Sequence, residues 1–262
     1  MSNESLSFKF TRAITSIIFD EIPDIRKYAE SFDNLLSEHF ITPGLPYAVG
    51  ENVPLSVPRF NYKSKLGHSS LDISGVSCQM QTYFNNEHST DFDLIKEYCR
   101  TREAMLEEHI LSLGVNIRYI GFLITIQSKI SVDAKKPTEV ISDNFLNPKA
   151  LLGVKGGGYD SSFKVTFLED NRYFVNFHGS NYRGYVYEVP MSKDSNEIRI
   201  VVPSFKEMKE ADTGIEFTFD CNNRYLFDFI SNESHNQTDF KNTLNLADKY
   251  IAKLSKGGLI NV

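Results

Sequence analysis

From Val115 to Val132 the apolar residues Ile120, Phe122, Ile124 and Ile126 fall on every second position, and Ile117, Tyr119 and Leu123 grease the other face. A period of two is that of a β-strand, and a strand apolar on both faces is expected deep in a sheet, covered on both sides. The segment that feeds it has a different period. Phe92, Ile95, Cys99, Leu106, Ile110 and Leu113 recur at the spacing of one helical face. Ser89 or Thr90 is placed to cap that helix, Asp91 and Asp93 occupy its first turn, and Gly114 closes it. A long helix leading into a central strand predicts an α+β protein in which antiparallel sheets are each packed by amphipathic helices.

The rest of the chain extends this pattern. Leu6 to Phe19 alternates and then turns apolar on both faces, predicting a long first strand. Beyond Pro23, the residues Ile25, Tyr28, Phe32, Leu35, Leu36 and Phe40 predict a helix that Pro43 and Gly44 end. Four prolines between Thr42 and Pro58 predict a long surface connection, and Phe60 to Phe84 reads as sheet with a bend or bulge at Gly75. In the last third, Phe163/Val165/Phe167 and Tyr173/Val175/Phe177 flank Glu169 to Arg172 as a hairpin. A second hairpin is predicted across Gly179-Ser180-Asn181 to Tyr185/Tyr187/Val189. Ile198/Ile200/Val202 and Ile215/Phe217/Phe219/Cys221 predict further strands, and Phe240, Leu244, Ala247, Ile251 and Leu254 a terminal helix.

The charged, proline-containing run that starts at Asp133 divides this pattern into two halves of similar size. They are an α+β stretch over 1–132 and a β-rich stretch with a terminal helix over 160–262, joined by 133–159, which holds a short amphipathic piece at Val140, Ile141 and Phe145. At 262 residues the chain buries a sizeable core without staples. Cys78, Cys99 and Cys221 have no CxxC spacing and read as buried thiols rather than disulfide or zinc ligands. A net charge of −6 disfavours nucleic acid and anionic membrane as partners. No apolar run of membrane-spanning length occurs and Met1 to Ser7 is polar, so a cytoplasmic protein is expected.

The succession of Phe8 to Phe40, a hairpin, a helix, the strand opening Asn116-Ile117-Arg118-Tyr119-Ile120, then Ile215 to Asp220 and a final helix from Phe240 resembles a sporadically distributed bacterial family of about this length. Its members carry no assigned reaction. The resemblance implies a bacterial protein from a mobile or phage-defence locus and supplies no catalytic residues.

Candidate chemistry is sparse. Lys155 with Gly156, Gly157 and Gly158 offers converging backbone N–H groups and a cation for an anion, without the Gly-Lys-Ser/Thr ending of a P-loop. His178, Asn181 and Arg183 cluster at the expected second hairpin tip, where His178 and Arg183 would together suit a phosphate or carboxylate. Asp220 and Asp228 form a possible carboxylate pair. His39, His68, His88, His109 and His235 show no metal-binding spacing, no nucleophile elbow is present, and no cofactor is implied. The leading expectation is a non-catalytic binding or assembly protein, acting with a partner encoded in the same operon or as a homo-oligomer. The alternative is an enzyme or sensor for a phosphorylated or carboxylated small molecule.

Overall fold

A computed structural model describes residues 7–50, 52–85, 87–129, 137–142, 145, 160–186, 208–230, 235 and 238–255. Strand β1 (Lys9–Phe19) leads through a 3-10 turn (Ile25–Tyr28) into helix α1 (Ala29–Leu36), which buries Phe32 and Leu36. The helix expected to reach Phe40 stops at Leu36, and Phe40 instead bridges to Ser64. The proline-rich connection holds only β2 (Leu45–Pro46) before β3 (Phe60–Lys63), β4 (Ser69–Ile73) and β5 (Ser77–Tyr83). Gly75 lies in the bend between β4 and β5, where apolar parity changes along the chain while Ile73 stays opposite Cys78. Helix α2 (Phe92–Ser112) starts at Asp91, whose carboxylate accepts from the Leu94 N–H, and is followed by Gly114 in the left-handed region at φ 75°.

Strand β6 (Ile117–Lys129) and helix α3 (Pro137–Ile141) precede β7 (Ser162–Glu169), β8 (Tyr173–Val186) and β9 (Lys209–Asn222). Helices α4 (Arg224–Phe229) and α5 (Asp239–Ser255) follow. All the described strands join one antiparallel sheet in the order β2-β3-β4-β5-β1-β6-β9-β8-β7. The separate sheets expected for the two halves are therefore one, with a seam between β6 and β9 that runs from Gly121 opposite Asn222 to Lys129 opposite Gly214. Because β5 and β6 both run antiparallel to β1, β5-α2-β6 is a crossover that lays α2 over β1.

One sheet face, carrying Ile17, Ile120, Phe122, Ile124, Ile126, Val175, Phe217 and Phe219, is buried. Phe122 meets Phe240 of α5 edge-on, and Phe145 stacks on Phe163 with centroids 4.2 Å apart, which seats the short piece after β6 on the same layer. The opposite face is half-open. β6 is central, as expected, but only one of its faces is fully covered: Tyr119 and Leu123 are half-buried, and the cover near Tyr119 is Phe227 of α4, 6.0 Å away. A polar row crosses this open face through Arg12, Thr125, Thr218, His178 and Lys164.

The hairpin across Asp170-Asn171-Arg172 forms, with Glu169 opposite Tyr173, and Asp170 and Asn171 take the positive φ (53° and 51°) that Asx residues tolerate in a turn. The second one does not. β8 passes straight through Gly179-Ser180-Asn181, paired with β7 on one side and β9 on the other. Gly179 is needed for packing rather than turning, since a Cβ there would lie 2.4 Å from the Phe163 ring. The strand expected at Ile198 to Val202 lies outside the described residues. The three cysteines are free thiols and buried.

Candidate functional site

Two concavities flank α2. The first forms where Leu94, Ile95 and Tyr98 of its N-terminal half face His68, Thr82, Tyr83 and Phe84 at the end of the β4–β5 hairpin, leaving a cavity of about 560 Å³. The Tyr98 hydroxyl is 2.8 Å from Ser69 Oγ and 3.1 Å from His68 Nε2, and Ser69 Oγ is 2.9 Å from Thr82 Oγ1. The Arg102 guanidinium stacks on the Tyr98 ring at 4.0 Å. Burial, helped by the charge of Arg102, lowers the pKa of His68, so its imidazole is neutral at neutral pH. The walls are thus mostly apolar, with uncharged hydrogen-bonding groups at Tyr98, Thr82 and His68 and a carboxylate, Glu87, in the lining. The mouth is rimmed by Leu66, Tyr83 and Leu94, which are 86%, 56% and 54% exposed.

The second concavity lies between α2 and α5, beside a buried charged network. Asp239, fully buried at the start of α5, accepts from Arg172 Nε (2.8 Å) and Nη2 (2.9 Å), the Tyr173 hydroxyl (2.7 Å) and Asn223 Nδ2 (2.8 Å). Asn223 in turn accepts from the Ile120 N–H, tying the network to β6. His235 spans two helices, with Nδ1 3.3 Å from Asp239 Oδ2 and Nε2 2.8 Å from Glu107 Oε1. Burial pushes the His235 pKa down, but the two carboxylates outweigh it and raise the pKa to about 9, so the ring is an imidazolium. One turn before Glu107, Glu103 is 3% exposed, and burial together with the Glu107 charge raises its pKa to about 9. Its Oε1 is buried without a hydrogen-bond partner.

A third, smaller depression of about 250 Å³ on the open sheet face contains Asp220 and Asp228. Each has its own partners: Asp220 accepts from Asn176 Nδ2 (3.0 Å) and Asn222 Nδ2 (3.1 Å), and Asp228 pairs with Arg224 at 3.0 Å. Among the described residues no group of three or more His, Cys, Asp or Glu side chains is placed to hold a metal, and no helix is long and apolar enough to cross a membrane.

The residues singled out from the sequence are dispersed. Lys155, Gly156, Gly157 and Gly158 lie outside the described residues. His178 and Arg183, expected side by side at a hairpin tip, stand five positions apart on one continuous strand. That puts them on opposite faces of the sheet, roughly 17 Å apart along it. His178 faces the open side between Lys164 and Thr218. Asn181 has a structural task, its Oδ1 accepting from the Ser161 N–H at 2.7 Å to hold the start of β7. Sequence reasoning passed over Glu103, Glu107, Tyr98 and Asp239. Glu103 had a signal: it falls on the buried stripe of α2 between Cys99 and Leu106, where an apolar residue was due. His235 had none, since it precedes α5 and belongs to no periodic run. Compared by sequence, the chain matches no protein-family model and no curated protein.

Proposed function

We propose that the protein is a non-catalytic binding protein for an uncharged small molecule with a ring-sized apolar body, taken up between α2 and the β4–β5 hairpin. The observation that carries this reading is the Tyr98 cavity. Its volume of about 560 Å³ falls within the range of small-molecule sites, and a few convergent polar groups in apolar walls are what orient a ligand there. The chemistry on offer is hydrogen bonding, not bond making: His68 reaches Tyr98, and the hydroxyl of Ser69 is bonded to Tyr98 and Thr82 instead of a base. The lining argues against the phosphorylated or carboxylated ligand expected as the alternative, because the acidic side chain it contains, Glu87, would repel an anion. The partner protein implied by the family resemblance enters this proposal at the mouth, where Leu66 and Leu94 expose apolar surface.

The test is an NMR titration with indole, benzamide and benzoate, following the side-chain resonances of His68 and His88. Indole and benzamide are expected to shift them, benzoate to bind at least about tenfold more weakly, and Leu94→Trp, which fills the mouth from an exposed position, to abolish the shifts. Preference for benzoate, or shifts that persist in Leu94→Trp, would overturn the reading.

A further inference from the structure

The network between α2 and α5 contains a residue that the fold itself does not need. Asp239 accepts hydrogen bonds from Arg172, Tyr173 and Asn223, and Glu107 Oε1 is 2.8 Å from His235 Nε2. Among the described residues of the network two buried atoms lack a hydrogen bond, His235 Nδ1, which faces Asp239 Oδ2 at 3.3 Å, and Glu103 Oε1, the one carboxyl oxygen of the three acids left so. The charges explain its state. Glu107 and Asp239 face two cationic side chains, His235 and Arg172, at 2.8–3.3 Å, while Glu103 has no cation of its own within ion-pair distance among the described residues, and burial beside Glu107 favours its protonated form. Such a residue, on a helical stripe otherwise built of Ile95, Cys99, Leu106 and Ile110, costs stability that an apolar or amide side chain would return.

What lies beside Glu103 is a cleft of about 470 Å³. Its floor is made by the buried Glu103, Glu107 and Phe240, while Glu108, Arg100 and Lys241 are exposed around it. Two carboxyl groups against an aromatic ring suit a compact cation with a hydrocarbon body. A primary ammonium has three donors, enough to meet the orphaned Glu103 oxygen and the neighbouring carboxylates. At the mouth Arg100 is paired with Glu97 at 2.7 Å, and Lys241 is the cation that repels a second positive end, which favours a monoamine over a diamine.

We propose that the α2–α5 cleft binds a small primary ammonium ion, which takes over the charge balance from the proton of Glu103. Binding forms an ammonium–carboxylate pair, and the Glu103 proton leaves to solvent, so the net charge of the buried set is unchanged. This site is separate from the Tyr98 cavity and does not depend on it.

The groups that bear on Glu103 are Arg100, Glu107 and Glu108 from α2, His235 from the segment before α5, Asp239 and Lys241 from α5, and Arg172 from β8. Between pH 6 and pH 8 His235, raised to about 9 by the carboxylates around it, stays an imidazolium. Calorimetric titration of the full chain with n-butylamine, in two buffers of different ionisation enthalpy, should therefore show about one proton released per amine bound. Affinity should rise about tenfold per pH unit over that range, with the amine (pKa about 10.4) itself fully charged. 1,4-Diaminobutane should bind more weakly. Glu103→Gln, which mimics the protonated state and so keeps the fold, should lose the binding while its far-UV circular dichroism is unchanged. Absence of amine binding in the wild-type chain, binding without proton release, or undiminished binding in a folded Glu103→Gln protein would each overturn the proposal.

Discussion

Glu103 and His235 hold protons more tightly folded than unfolded, and stability must follow pH accordingly. Glu103 is raised from an ordinary 4.5 to about 9, chiefly by burial. His235 is raised from 6.5 to about 9, because its hydrogen bonds to Asp239 and Glu107 outweigh its burial. In both cases the folded state binds the extra proton, so the favourable contribution is complete below the unfolded pKa and is lost as pH rises through the folded one. Asp20 and Glu169, held low by Arg118 and by Tyr250 with Lys249, act in the opposite sense at acid pH, and so do His68 and His109, which burial lowers from 6.5, so the fall is read above pH 7. Urea denaturation between pH 7 and pH 9 should thus show stability falling as pH rises, by at most about 1.4 kcal/mol per pH unit from each group. Glu103→Gln should remove the Glu103 share and become more stable than the wild type at pH 8; a parallel decline in both proteins would refute the assignment. Of this site the sequence disclosed only the stripe that α2 buries. A carboxyl on that stripe was visible, but the partners that give it meaning, His235 and Asp239, come from another segment more than a hundred positions away and carry no local pattern.

At the scale of the element, β8 shows why one hairpin was legible and the other was not. Asp170-Asn171 and Gly179-Ser180-Asn181 are both good turn sequences, but only the first adopts the positive φ values that make such residues necessary. At Gly179 the missing side chain makes room for an aromatic ring from the neighbouring strand, with Phe163 Cε1 2.4 Å and Phe217 Cδ1 3.0 Å from where a Cβ would stand. That requirement comes from strand pairing across β7, β8 and β9, which composition along β8 does not reveal. Gly179→Ala should therefore cost about 1–3 kcal/mol through overpacking. Phe163→Leu in the same chain should recover part of that loss, as measured by urea midpoints. A turn would tolerate Asn at this position; here Gly179→Asn should destabilise more than Gly179→Ala. The same misreading moved His178 and Arg183 together on paper, and the continuous strand sets them on opposite faces.

In the whole molecule the two stretches recognised from sequence share one sheet and one helical layer, and their stability should be shared too. β6 pairs along its length with β1 from the first stretch and β9 from the second, so neither edge of the seam can open without exposing buried Ile120, Phe122, Ile124 and Phe219. Above the seam α5 packs Phe240 on Phe122, Lys96 of α2 bonds Asp248 of α5 at 2.5 Å, and Asn223 fastens the end of β9 to the Ile120 N–H. The existence of strands and helices was legible because each has its own period. Which strand lies beside which was not, since a β6 apolar on both faces is compatible with any pair of neighbours. Equilibrium unfolding of the full chain should consequently be a single transition, with far-UV circular dichroism and tyrosine fluorescence giving the same midpoint. Two separated transitions, one for each stretch, would mean that the β6–β9 seam contributes little and that the halves are independent folding units.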